Sequence, residues 1–191
     1  MKKTLIILSI LCMGNAVFAQ QLPAHLEGQM TYPVFDFDPW VGVVKKKKVK
    51  ALKYDKDLTY KIAVDVYDSF RDSTRVIRPL REVARSFNLN VANGVPKRKL
   101  DMAVVVHGEA IYAFLNDEAY QRVYGVPNPN LEAIRIMKKE GIEFYICGQV
   151  LSFWDVPFEY ISKEIDITLS AKTALITLDQ RGYSYLNVNE N

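Results

Sequence analysis

Cysteine and histidine are almost missing from this sequence, which holds two of each in 191 residues. That scarcity excludes several chemistries. Cys12 lies in a leader-like segment, so the chain that remains keeps Cys147 alone and has no partner for an internal disulfide. His25, His107 and one cysteine, at no recognised ligand spacing, do not make a zinc site, and neither a metal nor any other cofactor is expected. The sequence has no Gly-x-Ser-x-Gly elbow, no dinucleotide-type glycine pattern and no P-loop. Charge of one sign is lacking too. The formal net charge is +3 at pH 7, and no basic stripe with interleaved aromatics occurs, so nucleic acid is not an expected partner. Lys45 to Lys48, with Lys50 and Lys53, are followed by Asp55 and Asp57 and read as a solvated linker.

No apolar run reaches the ~20 residues that cross a bilayer. The run that does exist is shorter and has a different meaning. Lys2 and Lys3 precede Leu5, Ile6, Ile7, Leu8, Ile10 and Leu11, and Val17-Phe18-Ala19 supplies small or aliphatic residues at a cleavage site. Residues 1–19 are therefore expected to be a signal peptide, which implies export to the periplasm with no stable membrane anchor after cleavage. Bulky Leu11 argues against lipid attachment at Cys12.

What is present is a good core composition, 49% hydrophobic and 12% aromatic residues. Residues 20–57 read as an extended N-terminal arm, broken by Pro23, Pro33 and Pro39, with a short strand near Val41 to Val44. Asp36 and Asp38 there suit turn chemistry better than a metal pair. Residues 58–191 form a regular domain. Strands are expected at Tyr60–Val66, Met102–Val106, Glu143–Ile146, Ile165–Leu169 and Tyr183–Val188. Helices are expected from a cap at Asp72 or Ser73 to Asn88, over Gly108–Asn116, Glu118–Tyr124 and Leu131–Glu140 (capped by Asn130), and over Gln149–Trp154 and Ala171–Gln180. Strands alternating with helices imply a three-layer α/β/α fold around a five-stranded parallel sheet.

Ligands of open parallel sheets bind beyond the carboxyl ends of the strands. His107 follows the second expected strand and Cys147 the third, each succeeded by a glycine, Gly108 and Gly148, that allows a sharp turn and close approach. A helix starting after Cys147 favours thiolate over thiol. A nucleophilic thiol with an imidazole to take its proton is one reading of this pair. Gln149, Asn128 and Asn130 are candidates to line the same rim. An intermolecular disulfide or a buried cysteine acting as a small hydrophobe are the others, and capping explains the asparagines equally well.

The fragments Val104-Val105-Val106-His107-Gly108-Glu109-Ala110, Asn128-Pro129-Asn130-Leu131, Tyr145-Ile146-Cys147-Gly148-Gln149, Ser170 to Leu178 and Gly182-Tyr183 resemble the DsrE/DsrF-like family, in particular its exported bacterial branch. The resemblance runs from about Tyr60 to the end. It implies the five-stranded sheet, a homo-oligomer, and a sulfur-donor or acceptor protein as partner. It also implies sulfur-carrier or sulfurtransferase-like activity, in which Cys147 accepts sulfane sulfur as a persulfide, His107 assists proton transfer and Gln149 orients the bound group. The sulfur-relay members are cytoplasmic, and an exported chain with an N-terminal arm departs from them. A non-catalytic ligand-binding module, or an envelope component docking through the arm, are the alternative expectations.

Overall fold

Runs of β-branched residues build the centre of the molecule, since they fit a pleated surface that is covered on both sides. The computed structural model describes residues 22–44, 49 and 52–190. The expected leader and Lys45 to Lys48 lie outside them. A short antiparallel pair, β1 (Met30–Thr31) and β2 (Val43–Val44), precedes a sheet of five parallel strands. These are β3 (Tyr60–Val66), β4 (Leu100–Val106), β5 (Glu143–Cys147), β6 (Asp166–Thr168) and β7 (Ser184–Asn187), in the order β6-β5-β4-β3-β7. The fold expected from the sequence is the fold observed. Val104, Val105 and Val106 of central β4 are all fully buried.

The helices are α1 (Arg78–Ala92), α2 (Asp117–Tyr124), α3 (Asn130–Lys139), α4 (Gly148–Phe153) and α5 (Ala171–Gln180). Two starts and one helix type differ from expectation. Asp72 turns onto Thr74, accepting from its N–H at 2.9 Å and its hydroxyl at 2.6 Å, so it caps a turn rather than α1. The helix begins six residues later, with Pro79 in its first turn where a missing N–H costs nothing. Gly108–Phe114 is wound as a tight 3-10 helix. Asn130 sits inside α3 instead of capping it, and its side-chain oxygen accepts the Ile77 N–H at 2.8 Å.

The sheet is covered unequally. Leu80, Val83, Ala84 and Phe87 of α1, Ile134 and Met137 of α3, and Leu151 of α4 pack with Val64, Val66, Val104, Val106 and Ile146 in one large core. On the opposite face α5 lies over Ala63, Ala103, Val105 and Cys147, with Val150 of α4 at the margin. Chain leaving β5 therefore turns to the first face and chain leaving β6 to the second. The two directions part at the carboxyl ends of β5 and β6, where Cys147 stands opposite Thr168.

One amide makes four of the bonds that fasten the arm to the domain. Asn88 of α1, wholly buried, accepts from the N–H groups of Val34 (3.1 Å) and Phe35 (3.0 Å). It donates to the carbonyls of Phe35 (2.8 Å) and Val41 (2.9 Å). Phe35 and Val41 are thereby drawn into the large core, and Asp38 caps the turn between them by accepting from Trp40 N–H. With Phe35 inside the core, that aromatic is not available to a docking partner. Asn88→Ala leaves four buried backbone groups without their partner, and is expected to cost roughly 2–4 kcal/mol in urea unfolding. A loss below that range would show that the arm holds through its apolar side chains alone.

Candidate functional site

Alternation along the strands decides which side chains share the thin face under α5. Ala63 lies there, so Asp65, two residues on, lies there as well; Val105 and Tyr145 bring His107 and Cys147 to the same side. Register then sets them side by side. Val106 is opposite Ile146, the last pair of the β4–β5 ladder, and His107 and Cys147 are the next residues of the two chains, whose strands are spaced by about 4.8 Å. His107 continues β4 in an extended conformation, and its N–H donates to the Val66 carbonyl at 2.9 Å. Cys147 closes β5.

Asp65 organises this row. Its side chain is 8% exposed, and a carboxylate so placed needs donors on both oxygens. His107 Nε2 lies 2.9 Å from Oδ1, and the Tyr185 hydroxyl donates to Oδ2 at 2.8 Å. An acceptor-only carboxylate fixes the histidine tautomer. With the proton held on Nε2, a neutral imidazole presents Nδ1 as an acceptor. The Tyr67 ring, 5.2 Å from the His107 ring, limits its tilt. Asn189 secures the strand end, donating to the Asp65 carbonyl (2.8 Å) and accepting from the N–H groups of Tyr67 (2.7 Å) and Asp68 (3.1 Å). Asp65, Tyr185 and Asn189 had been passed over in the sequence. Only Asp65 leaves a trace there, as an acid on the inward register of an apolar strand.

The two glycines act through close approach. Gly108 has φ +56°, and a Cβ there would stand 2.8 Å from the Tyr67 carbonyl oxygen. A Cβ on Gly148 would stand 2.8 Å from the Thr168 carbonyl oxygen, so Gly148 lets β6 close on the end of β5. Cys147 itself is 4% exposed and packs with Val105, Ala171 and Leu178. It precedes a helix of six residues and its side chain makes no capping bond. Gln149 is exposed on the first turn of α4. Asn128 is committed to the fold. Its NH₂ donates to the carbonyls of Ala113 (3.0 Å) and Leu115 (2.7 Å), and its oxygen accepts from the N–H and NH₂ of Asn130 (2.9 Å each). Those four bonds use the whole capacity of an amide side chain and leave none for a ligand. Among the described residues no cluster of three or more His, Cys, Asp or Glu could hold a metal ion.

Comparison with known proteins gives one family. The model described as DsrE/DsrF-like family matches residues 74–188, a span that contains His107, Cys147 and Tyr185 and stops short of Asp65 and Asn189. No curated protein matches. Among solved structures, one titled as a protein of unknown function, MTH1491 from Methanobacterium thermoautotrophicum, is similar at 14% identity and a TM-score of 0.49. It covers 67% of this chain and 98% of its own.

The tyrosines of this face give a pH signature. Desolvation, then the hydrogen bond and charge of Asp65, hold Tyr185 up to about 12. Desolvation and the Glu143 carboxylate do the same to Tyr145, also to about 12. In the unfolded chain these phenols ionise near 10, so between about pH 10 and 12 the folded state binds more protons and stability falls as pH rises. Tyr185→Phe is expected to flatten that fall in urea titrations across this window. An unchanged slope would mean that the Tyr185–Asp65 bond does not form in solution.

Proposed function

The chain belongs to the DsrE/DsrF-like family, and from that premise we propose that it carries sulfane sulfur on Cys147. The observation that supports this reading is the row Asp65, His107, Cys147 on three adjacent strands at the carboxyl edge of the sheet. Nδ1 of His107 takes the thiol proton, and Asp65 stabilises the imidazolium that results. The thiolate attacks the outer sulfur of a persulfide or polysulfide donor. A sulfur–sulfur bond forms at Cys147 as the donor's own sulfur–sulfur bond breaks. The departing donor thiolate leaves with the electron pair and recovers the proton from His107. One sulfane sulfur has moved and no external oxidant or reductant is consumed. The reading includes export, on the strength of residues 1–19, with a mature chain beginning at Gln20.

A second reading draws on the burial of Cys147. A thiol 4% exposed within the apolar cluster under α5 serves packing, and the protein is then a non-catalytic binding or assembly module. Intact-mass spectrometry of the protein recovered from its expressing cell, before and after polysulfide treatment, separates the two. Sulfur carriage predicts a gain of one sulfur atom on Cys147, none in Cys147→Ser, and a rate about 100-fold lower in His107→Ala. A module predicts no adduct in the folded protein and a lower melting temperature for Cys147→Ser. The same spectrum reads the position of the mature N-terminus.

A further inference from the structure

On the other face of the sheet, at the end of β3, a cleft of about 640 Å³ lies between the loop after that strand and the first turns of α1. Its size is that of a small-molecule site. Four arginines line it, Arg71, Arg75, Arg78 and Arg81, together with the carboxylates Asp68, Asp72 and Glu190. Two of the three carboxylates are paired with Arg78, and the third is held by a neutral partner. Arg78 pairs with Asp68 at 3.2 Å and Glu190 at 2.9 Å, and Asp72 is turned onto Thr74. Arg71 and Arg75 form no ion pair among the described residues. Arg81 is 11% exposed, faces Asp38 only at 3.8 Å, and keeps a buried Nε with no hydrogen-bond partner. Hydrogen bonds from Thr74, helped by the charges of Arg75 and Arg81, hold the Asp72 carboxyl down. Arg71 is thus left uncommitted, while Arg75 and Arg81 are engaged only loosely, and the cavity lies at the N-terminal end of a 15-residue helix whose dipole adds to the same sign.

We propose that this cleft binds a small soluble anion carrying two or more negative charges on phosphate, sulfonate or paired carboxylate groups. Planar guanidinium groups match such oxygens two at a time, and Arg71, Arg75 and Arg81 supply them while Arg78 stays neutralised by its own partners. The site is separate from Cys147 and does not rest on the persulfide reading.

Pyrophosphate is a suitable probe, titrated into the full mature protein at low salt by calorimetry with thermal melting in parallel. Saturable binding with a rise in melting temperature is expected. Arg71→Ala/Arg75→Ala, a double change at the outer part of the cleft, should weaken it by at least about tenfold. Cys147→Ser should bind as well as the parent, which keeps failure here distinct from failure of sulfur carriage. Arg81→Met tests the inner cation, with the double variant standing if that chain does not fold. Equal affinity in the double variant, or no saturable binding, overturns the proposal. So does binding to phosphatidylglycerol vesicles without any response to pyrophosphate, which would make the cleft a lipid-surface contact.

Discussion

A carboxylate buried within a parallel sheet cannot be left without donors, and Asp65 sets the geometry of the candidate site through that demand. Both its oxygens are satisfied, one by His107 and one by Tyr185, while Asn189 holds the backbone at the same point. An apolar residue there would pack more simply, because burying a carboxylate costs free energy even when both its oxygens are hydrogen-bonded. The arrangement makes sense if the tautomer of His107 matters. Once the proton is fixed on Nε2, the other ring nitrogen is left to accept, and Cys147 follows Ile146 just as His107 follows its partner Val106 on the neighbouring strand.

The unequal covering of the sheet gives this row its setting. One face is closed by α1, α3, α4 and the arm, whose Phe35 and Val41 are part of the core. Among the described residues the other face is covered chiefly by α5, so polar side chains such as Asp65 and His107 can sit at its margin. Both candidate sites hang from the same end of β3. The thiol row lies toward α5, and the arginine-lined cleft lies toward α1, with Asp68 and Glu190 between the strand end and its cations. A ligand-bearing edge of this kind follows from strand direction, since every strand of a parallel sheet ends on the same side.

The strands were legible because β-branched runs such as Met102 to Val106 have one sensible place, the middle of a covered sheet. Cys147 and His107 were legible as strand-end residues for the same reason. What stayed hidden depends on contacts far apart in the chain. The pairing of Asp65 with Tyr185 spans 120 positions, and nothing local in either residue announces it. Asn88 looked like the last polar residue of a helix, whereas it ties down a segment about fifty residues earlier. Asn128 looked like a rim residue because it is polar and near a turn; its four bonds within the protein reverse that impression. The start of α1 lies later than its cap-like residues suggest, because Asp72 is spent on the Asp72–Thr74 turn and the helix begins with Pro79 in its first turn and no side-chain cap.

The claim on which this account turns is that the Asp65–His107 pair acts on Cys147. It is tested most directly by the rate at which a small alkylating reagent modifies Cys147 in the native protein across neutral pH, compared with Asp65→Asn. With the fold retained by circular dichroism, the variant should react at least about tenfold more slowly, because the histidine loses its fixed tautomer and the charge that supports its protonated form. Equal rates in the two proteins, or reaction in both only after unfolding, would contradict it and leave Cys147 as a packing residue.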